Sequence, residues 1–298
     1  MSFPNVDLFP MTAGLNDEDH LVLGGCDATD LASEFGTPLY VLDETTLREM
    51  CRSFVGEFTG RYADTRIAYA SKAFVNPALA RLVAEEGLGL DVVSGGELAV
   101  AQAVDFPADA IYFHGNNKSV DELKMALAYG IGHVVVDSFH ELAVLSRLAE
   151  DLGATQKIML RVSPGVDPHT HVHTTTGILD SKFGFSIETG DAARAIRQAL
   201  ESPGVELVGL HFHLGSPIFE LEPYSIAIDT VLTLASEFKD QGFELQEFSP
   251  GGGFAIGYVR EQPPPHIGDY AEVITATTRR RCADLGLGEP RLVVEPGR

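Results

Sequence analysis

Residues 66–72 read RIAYASK, a short apolar run suited to a strand that breaks off in Ser71 and Lys72. Seven further runs of the same kind follow: Gly89–Ser94 (GLDVVS), Ala110–Gly115 (AIYFHG), His133–Ser138 (HVVVDS), Lys157–Ser163 (KIMLRVS), Glu206–Gly215 (ELVGLHFHLG), Leu245–Gly251 (LQEFSPG) and Arg291–Gly297 (RLVVEPG). Each gives way to a polar or glycine cluster and then to a stretch with apolar positions three or four apart, among them Asn76–Glu86, Ser138–Leu152 and Asp269–Leu285. Such alternation predicts an α/β fold with a parallel sheet and helical crossovers. Eight strands, with Glu44–Phe58 as a helix before the first, predict a (β/α)8 TIM barrel over residues 43–298. Residues 1–42 stay outside that count, yet Pro38–Leu42 (PLYVL) reads as a strand. The expectation is an N-terminal segment, 1–42, whose strand belongs to a second, largely missing β domain.

The chain of 298 residues carries 43 acidic against 21 basic side chains, a net charge of −22. That field argues against nucleic acid and anionic membranes as partners. No apolar run is long enough to span a bilayer, and the start, MSFPNVDLFP, lacks the pattern of a secretory signal. Three scattered cysteines, Cys26, Cys51 and Cys282, fit a reducing, cytoplasmic protein without a structural disulfide.

In a barrel of this kind, polar residues at the C-terminal strand ends carry the chemistry. Lys72 ends the first strand, where lost hydration would free its amine for Schiff-base formation; a lysine snorkelling to the rim is the bland alternative. Gly251, Gly252 and Gly253 follow the seventh strand, where bare backbone either turns its amides onto a phosphate or makes a tight turn. His211 and His213 share one side of the sixth strand. They could bind metal with His169, His171 and His173, or one could stack on a flat ring, and no spacing supports a closed metal site. Ser216 could reach a phosphate or cap a turn. Glu295 could face a pyridine nitrogen and Arg298 an anion, unless the two pair with each other. Asp91 and Glu97 flank the second strand's end, Glu97 in an S-x-x-E pattern that could merely cap a helix. Arg161 points into an apolar barrel and needs an anionic partner. Together these make a kit for pyridoxal phosphate.

The motifs YASKAF at Tyr69, DVVSGGEL, FHGNNKS, LRVSPGVDPHTH, TGILDSKFGFS, GLHFHLGS, SPGGGFAIGY and VEPGR, in that order, resemble the diaminopimelate decarboxylases. These belong to the alanine-racemase-like pyridoxal phosphate barrels, as do ornithine and arginine decarboxylases. The resemblance implies decarboxylation of meso-2,6-diaminopimelate to L-lysine, with an arginine or ornithine enzyme, or a cofactor-binding barrel without turnover, as alternatives. It implies that Lys72 holds the cofactor covalently and that His213 stacks on its ring. Ser216 and Gly251–Gly253 would hold the phosphate, and Glu295 the pyridine nitrogen. Asp91, Glu97, Arg161 and Gly297 would complete the cofactor site, with Arg298 near phosphate and substrate. The family's acid comes from a C-terminal β domain, whose cysteine reaches the partner's site in a homodimer. None of the three cysteines here matches that motif. Ala255 stands where relatives often have glycine.

Overall fold

The computed structural model describes residues 5–166 and 182–298. Eight parallel strands close into a ring: Thr65–Ala70, Gly89–Val92, Ile111–Phe113, His133–Val136, Gln156–Ser163, Val205–His211, Glu247–Gly251 and Arg291–Val294. The eighth returns to the first with Leu292 opposite Thr65. Helices Pro77–Glu85, Gly95–Gln102, Val120–Tyr129, Phe139–Asp151, Asp191–Glu201, Glu222–Ser236 and Ile267–Leu285 fill the crossovers. Helix Glu44–Thr59 precedes the first strand, and its Phe54 and Phe58 pack edge-on against Phe254 with ring centres 5.1 and 6.0 Å apart. The predicted barrel is therefore the observed one.

Local chemistry explains where each crossover begins. Asn76, Ser94, Ser119 and Ser138 each accept a hydrogen bond from the backbone amide three residues on, which satisfies a donor that the first helical turn leaves unpaired. Ser119 and Glu122 close a reciprocal capping box. These caps fix the short turns that surround the barrel mouth.

Side chains alternate along a strand, so every second residue faces the lumen. Ala68, Tyr112, Val135, Met159, Val208 and Val293 form a buried apolar cluster of their own, separate from the larger layer between strands and helices. Two residues further toward the strand ends stand His114, Asp137, Arg161 and Glu295. On the other side of the plug, Tyr112 Oη donates to Glu247 Oε2 at 2.9 Å and His133 Nε2 lies 3.3 Å from Glu247 Oε1. The lumen is thus an apolar layer between two polar ones. The upper polar layer is the floor of the site.

Outside the barrel, Gly14–Leu15, Leu21–Leu23 and Cys26–Asp27 make a small antiparallel sheet, followed by helix Ala28–Phe35. Buried Asp43 accepts from Thr12 Oγ1 at 2.7 Å and caps helix Glu44–Thr59 through the Thr46 amide. Pro38–Leu42 pairs with no strand among the described residues, and its expected partner sheet belongs to the second domain. Leu39, Val41 and Leu42 are exposed, and Tyr40 is 98% accessible.

Candidate active site

A cavity of about 550 Å³ opens at the C-terminal ends of the strands, within the size range of cofactor pockets. Lys72, His114, Arg161, His211, His213 and Glu295 line it. Residues far apart in the sequence meet here because each sits at the end of a different strand.

Lys72, expected at the strand's end, lies two residues past it. The first strand stops at Ala70, and Lys72 rides a 3-10 turn, Ser71–Ala73, exposed at the mouth. The expectation of lost hydration is corrected accordingly: in the protein alone the amine keeps its water.

Glu295 is the best-held group in the site. It is buried, accepts from Ser249 Oγ at 2.8 Å, and has His211 Nε2 at 3.2 Å and His114 Nε2 at 3.4 Å. Burial alone would raise its pKa, but the two histidines and the serine hydroxyl overcome this and hold the carboxyl well below its usual range. Asp91 behaves oppositely. Burial, then the neighbouring Glu295 charge, pushes it well above the usual range, and neither of its oxygens has a hydrogen-bond partner among the described residues. Two neighbouring carboxyls are thus driven in opposite directions.

His213, just past the sixth strand, is pushed down to about 3 by burial and then by the Lys72 charge, so its imidazole is neutral at pH 7. Its Nδ1 accepts from the Gly252 amide at 3.3 Å. The glycine loop is shaped by close approach. A Cβ on Gly252 would collide with the Glu295 carbonyl oxygen, and Gly253, at φ +104°, lies against the Gly215 carbonyl. The tight-turn reading is therefore true of this loop. The phosphate reading is compatible with it, because the amides of Gly253 and Phe254 have no partner among the described residues. Tyr224 Oη braces the loop from behind through the Gly252 carbonyl at 2.8 Å, and Tyr270 Oη accepts from the Ala255 amide at 3.2 Å.

Arg298 does not pair with Glu295; it donates to Ser216 Oγ and Tyr258 Oη, beside the glycine loop. A Cβ on Gly297 would press on Ala70 and Ala73, which ties the eighth strand's end to the Lys72 turn. Arg161 finds a fixed carboxylate only loosely, with Asp137 Oδ1 at 3.8 Å, and lies over the Phe183 ring at 4.3 Å. Glu97 accepts from the Val93 amide at 2.6 Å while Ser94 caps its own amide, so the capping alternative describes what it does here.

The histidines of the metal alternative are only partly described. His211 turns to Glu295 and His213 to Gly252, while His169, His171 and His173, like Asp180, lie outside the described residues. Of the ligand-type groups, His114, His211 and Glu295 come within 4.8 Å of one another, and hydrogen bonding and ion pairing already engage them.

Sequence reasoning gave His114, Tyr224, Tyr258 and Tyr270 no role. His114 carried the same signal as its neighbours, a polar residue closing a strand. The tyrosines sit on helices and a loop, where no strand-end rule applies.

The residues present fit a flat, phosphorylated, aldehyde-bearing ring. An amine stands at the mouth, unpartnered amides mark the loop, and an anionic carboxylate sits below with an unpaired carboxyl beside it. Residues 45–298 match the family model described as pyridoxal-dependent decarboxylase, pyridoxal binding domain. The chain is 44% identical over 288 residues to the diaminopimelate decarboxylase of Bacillus subtilis, covering 96% of this chain and 66% of that one. The diaminopimelate decarboxylase of M. jannaschii in complex with L-lysine superposes with a TM-score of 0.89 at 36% identity, over 97% of this chain and 67% of that one. The Helicobacter pylori diaminopimelate decarboxylase, also complexed with L-lysine, superposes with a TM-score of 0.80 at 31% identity, over 91% of this chain and 66% of that one. The chain spans about two thirds of the length of these relatives.

Proposed function

Because this chain belongs to the pyridoxal-dependent decarboxylases, we propose that it takes part in the pyridoxal phosphate-dependent decarboxylation of meso-2,6-diaminopimelate to L-lysine and carbon dioxide. The observation that carries the reading is the meeting of Lys72, His213 and Glu295 around one cavity, with the glycine loop joined to it through the Gly252 amide on His213. When bound, the cofactor supplies an electron sink for the pair left behind as carbon dioxide departs.

The chain's own residues do the rest. Lys72 offers its amine to the cofactor's aldehyde, and its exposure leaves it accessible to an incoming amino acid. Glu295, held anionic by His211, His114 and Ser249, keeps a proton on the ring nitrogen. His213, held neutral, gives the ring a flat face without adding positive charge. Gly252, Gly253 and Ser216 hold the phosphate, with Arg298 supplying charge beside them. Arg161, weakly engaged by Asp137, is placed to take an anionic oxygen of cofactor or substrate.

We also read residues 1–42 as the segment that packs with a second β domain. The exposed run Leu39–Leu42 supports that assignment. The whole protein on this reading is a cytoplasmic homodimer.

Borohydride reduction in the presence of pyridoxal phosphate should fix the cofactor on Lys72, as read by peptide mass. Purified protein should release carbon dioxide from meso-diaminopimelate in preference to arginine or ornithine. Cofactor binding without release from any of the three would leave a binding module, and an unlabelled Lys72 would remove the proposal altogether.

A further inference from the structure

Two buried carboxyls in unequal company stand at the base of the site, Glu295 in the cavity's lining and Asp91 beyond His114. Glu295 has Ser249 and His211. Asp91, 1% exposed, has no hydrogen-bond partner for either oxygen among the described residues. Between them stands His114, 5% exposed, with Nε2 at 3.4 Å from Glu295 Oε1 and 3.8 Å from Asp91 Oδ1. Its ring meets His211 edge-on at 4.8 Å, and its backbone amide donates to the Val92 carbonyl at 2.7 Å.

Two ionised carboxyls this close in a dry floor repel, and one of them keeps a proton. Resting on the reading of the cavity as a pyridoxal phosphate site, we propose that His114 is a positioning residue: standing between the two acids, it confines their shared proton to Asp91 and presents Glu295 as the anion to the ring nitrogen. The charge assignment agrees. Asp91 is driven up and Glu295 down, while burial keeps His114 itself neutral. A neutral imidazole with Nε2 3.4 Å from Glu295 Oε1 faces that carboxylate without adding a charge of its own. The other titratable groups facing this floor are Lys72, Arg161 with Asp137 at 3.8 Å, Glu97, His211 and His213.

The test compares wild type with H114L, H114Q, D91N and E295Q. Infrared spectra of cofactor-free protein at pH 7 should show a buried carboxylic-acid band in wild type that D91N removes and E295Q leaves in place. With cofactor labelled at its ring nitrogen, H114L should weaken binding about tenfold, equivalent to about 1.4 kcal/mol, and move the nitrogen resonance toward that of neutral pyridine. H114Q, whose amide can still donate to Glu295, should keep the resonance in place. A band that survives in D91N overturns the proposal, as does an unchanged resonance in H114L or an equal displacement in H114Q. The infrared comparison needs neither cofactor nor folded H114L. If wild type binds no cofactor, the pyridoxal reading falls while the placement of the proton is still decided.

Discussion

Replacing Lys118 by methionine tests how the mouth is built. The Lys118 side chain is 1% exposed, with its ammonium 2.8 Å from Glu141 Oε1. It also donates to the Gly115 carbonyl at 2.6 Å and the Val135 carbonyl at 3.0 Å. This one group ties the turn after the third strand to the fourth strand and the helix beyond it. Burial pushes the Glu141 carboxyl up, and the lysine is what opposes that push. Methionine matches the stem in bulk but leaves Glu141 as a buried charge without its cation, which costs about 3–5 kcal/mol. At roughly 2 °C per kcal/mol for a chain of this size, the melting midpoint should fall by roughly 6–10 °C. Calorimetry or circular dichroism at pH 7 reads the shift. The double variant K118M/E141L removes the orphaned charge and should regain at least half of the loss, short of full recovery because the Asp137 amide then loses the carboxylate it donates to at 3.0 Å. A single variant melting within 2 °C of wild type, or a double variant less stable than the single, would refute the account.

Other outcomes follow from the site. G252A should cost about 1–3 kcal/mol of stability through overpacking against the Glu295 carbonyl and weaken pyridoxal phosphate binding measurably by equilibrium dialysis, whereas G257A, with no neighbour closer than 3.4 Å, should change neither. His213 is neutral in the folded protein down to about pH 3 but takes a proton in the unfolded chain below about pH 6.5, so acid favours unfolding by up to about 1.4 kcal/mol per pH unit between those values. H213N should flatten the fall of the melting midpoint from pH 6 to 4, and an unchanged slope would show that the imidazole is not held neutral. K72A should keep the wild-type melting midpoint to within about 0.5 kcal/mol, as an exposed side chain would, while losing the borohydride-fixed adduct.

The barrel was legible because its strands are strong local signals. HVVV and LQEFSPG announce buried parallel strands, and Ser or Asn after them announces helix starts. The same rule found the floor residues Asp91, Arg161, His211 and Glu295. It stopped short of His114, although the lumen-facing spacing of two from Tyr112 was there to be read. It could not find Lys118, whose meaning depends on Glu141, 23 positions away and in the next crossover. Strands of two or three residues, as at Gly14–Leu15, are too short to carry any period. Pro38–Leu42 has the opposite character, a clear pattern whose pairing partner is not among the described residues. The solvation of Lys72 was misjudged because the 3-10 turn Ser71–Ala73 carries it two residues past the strand's end.

The apolar plug of Ala68, Tyr112, Val135, Met159, Val208 and Val293 makes the chamber a cul-de-sac. The chamber opens on the strand-end side, so whatever binds there passes the loops that ring its mouth, and altering those loops changes access while leaving the barrel walls untouched.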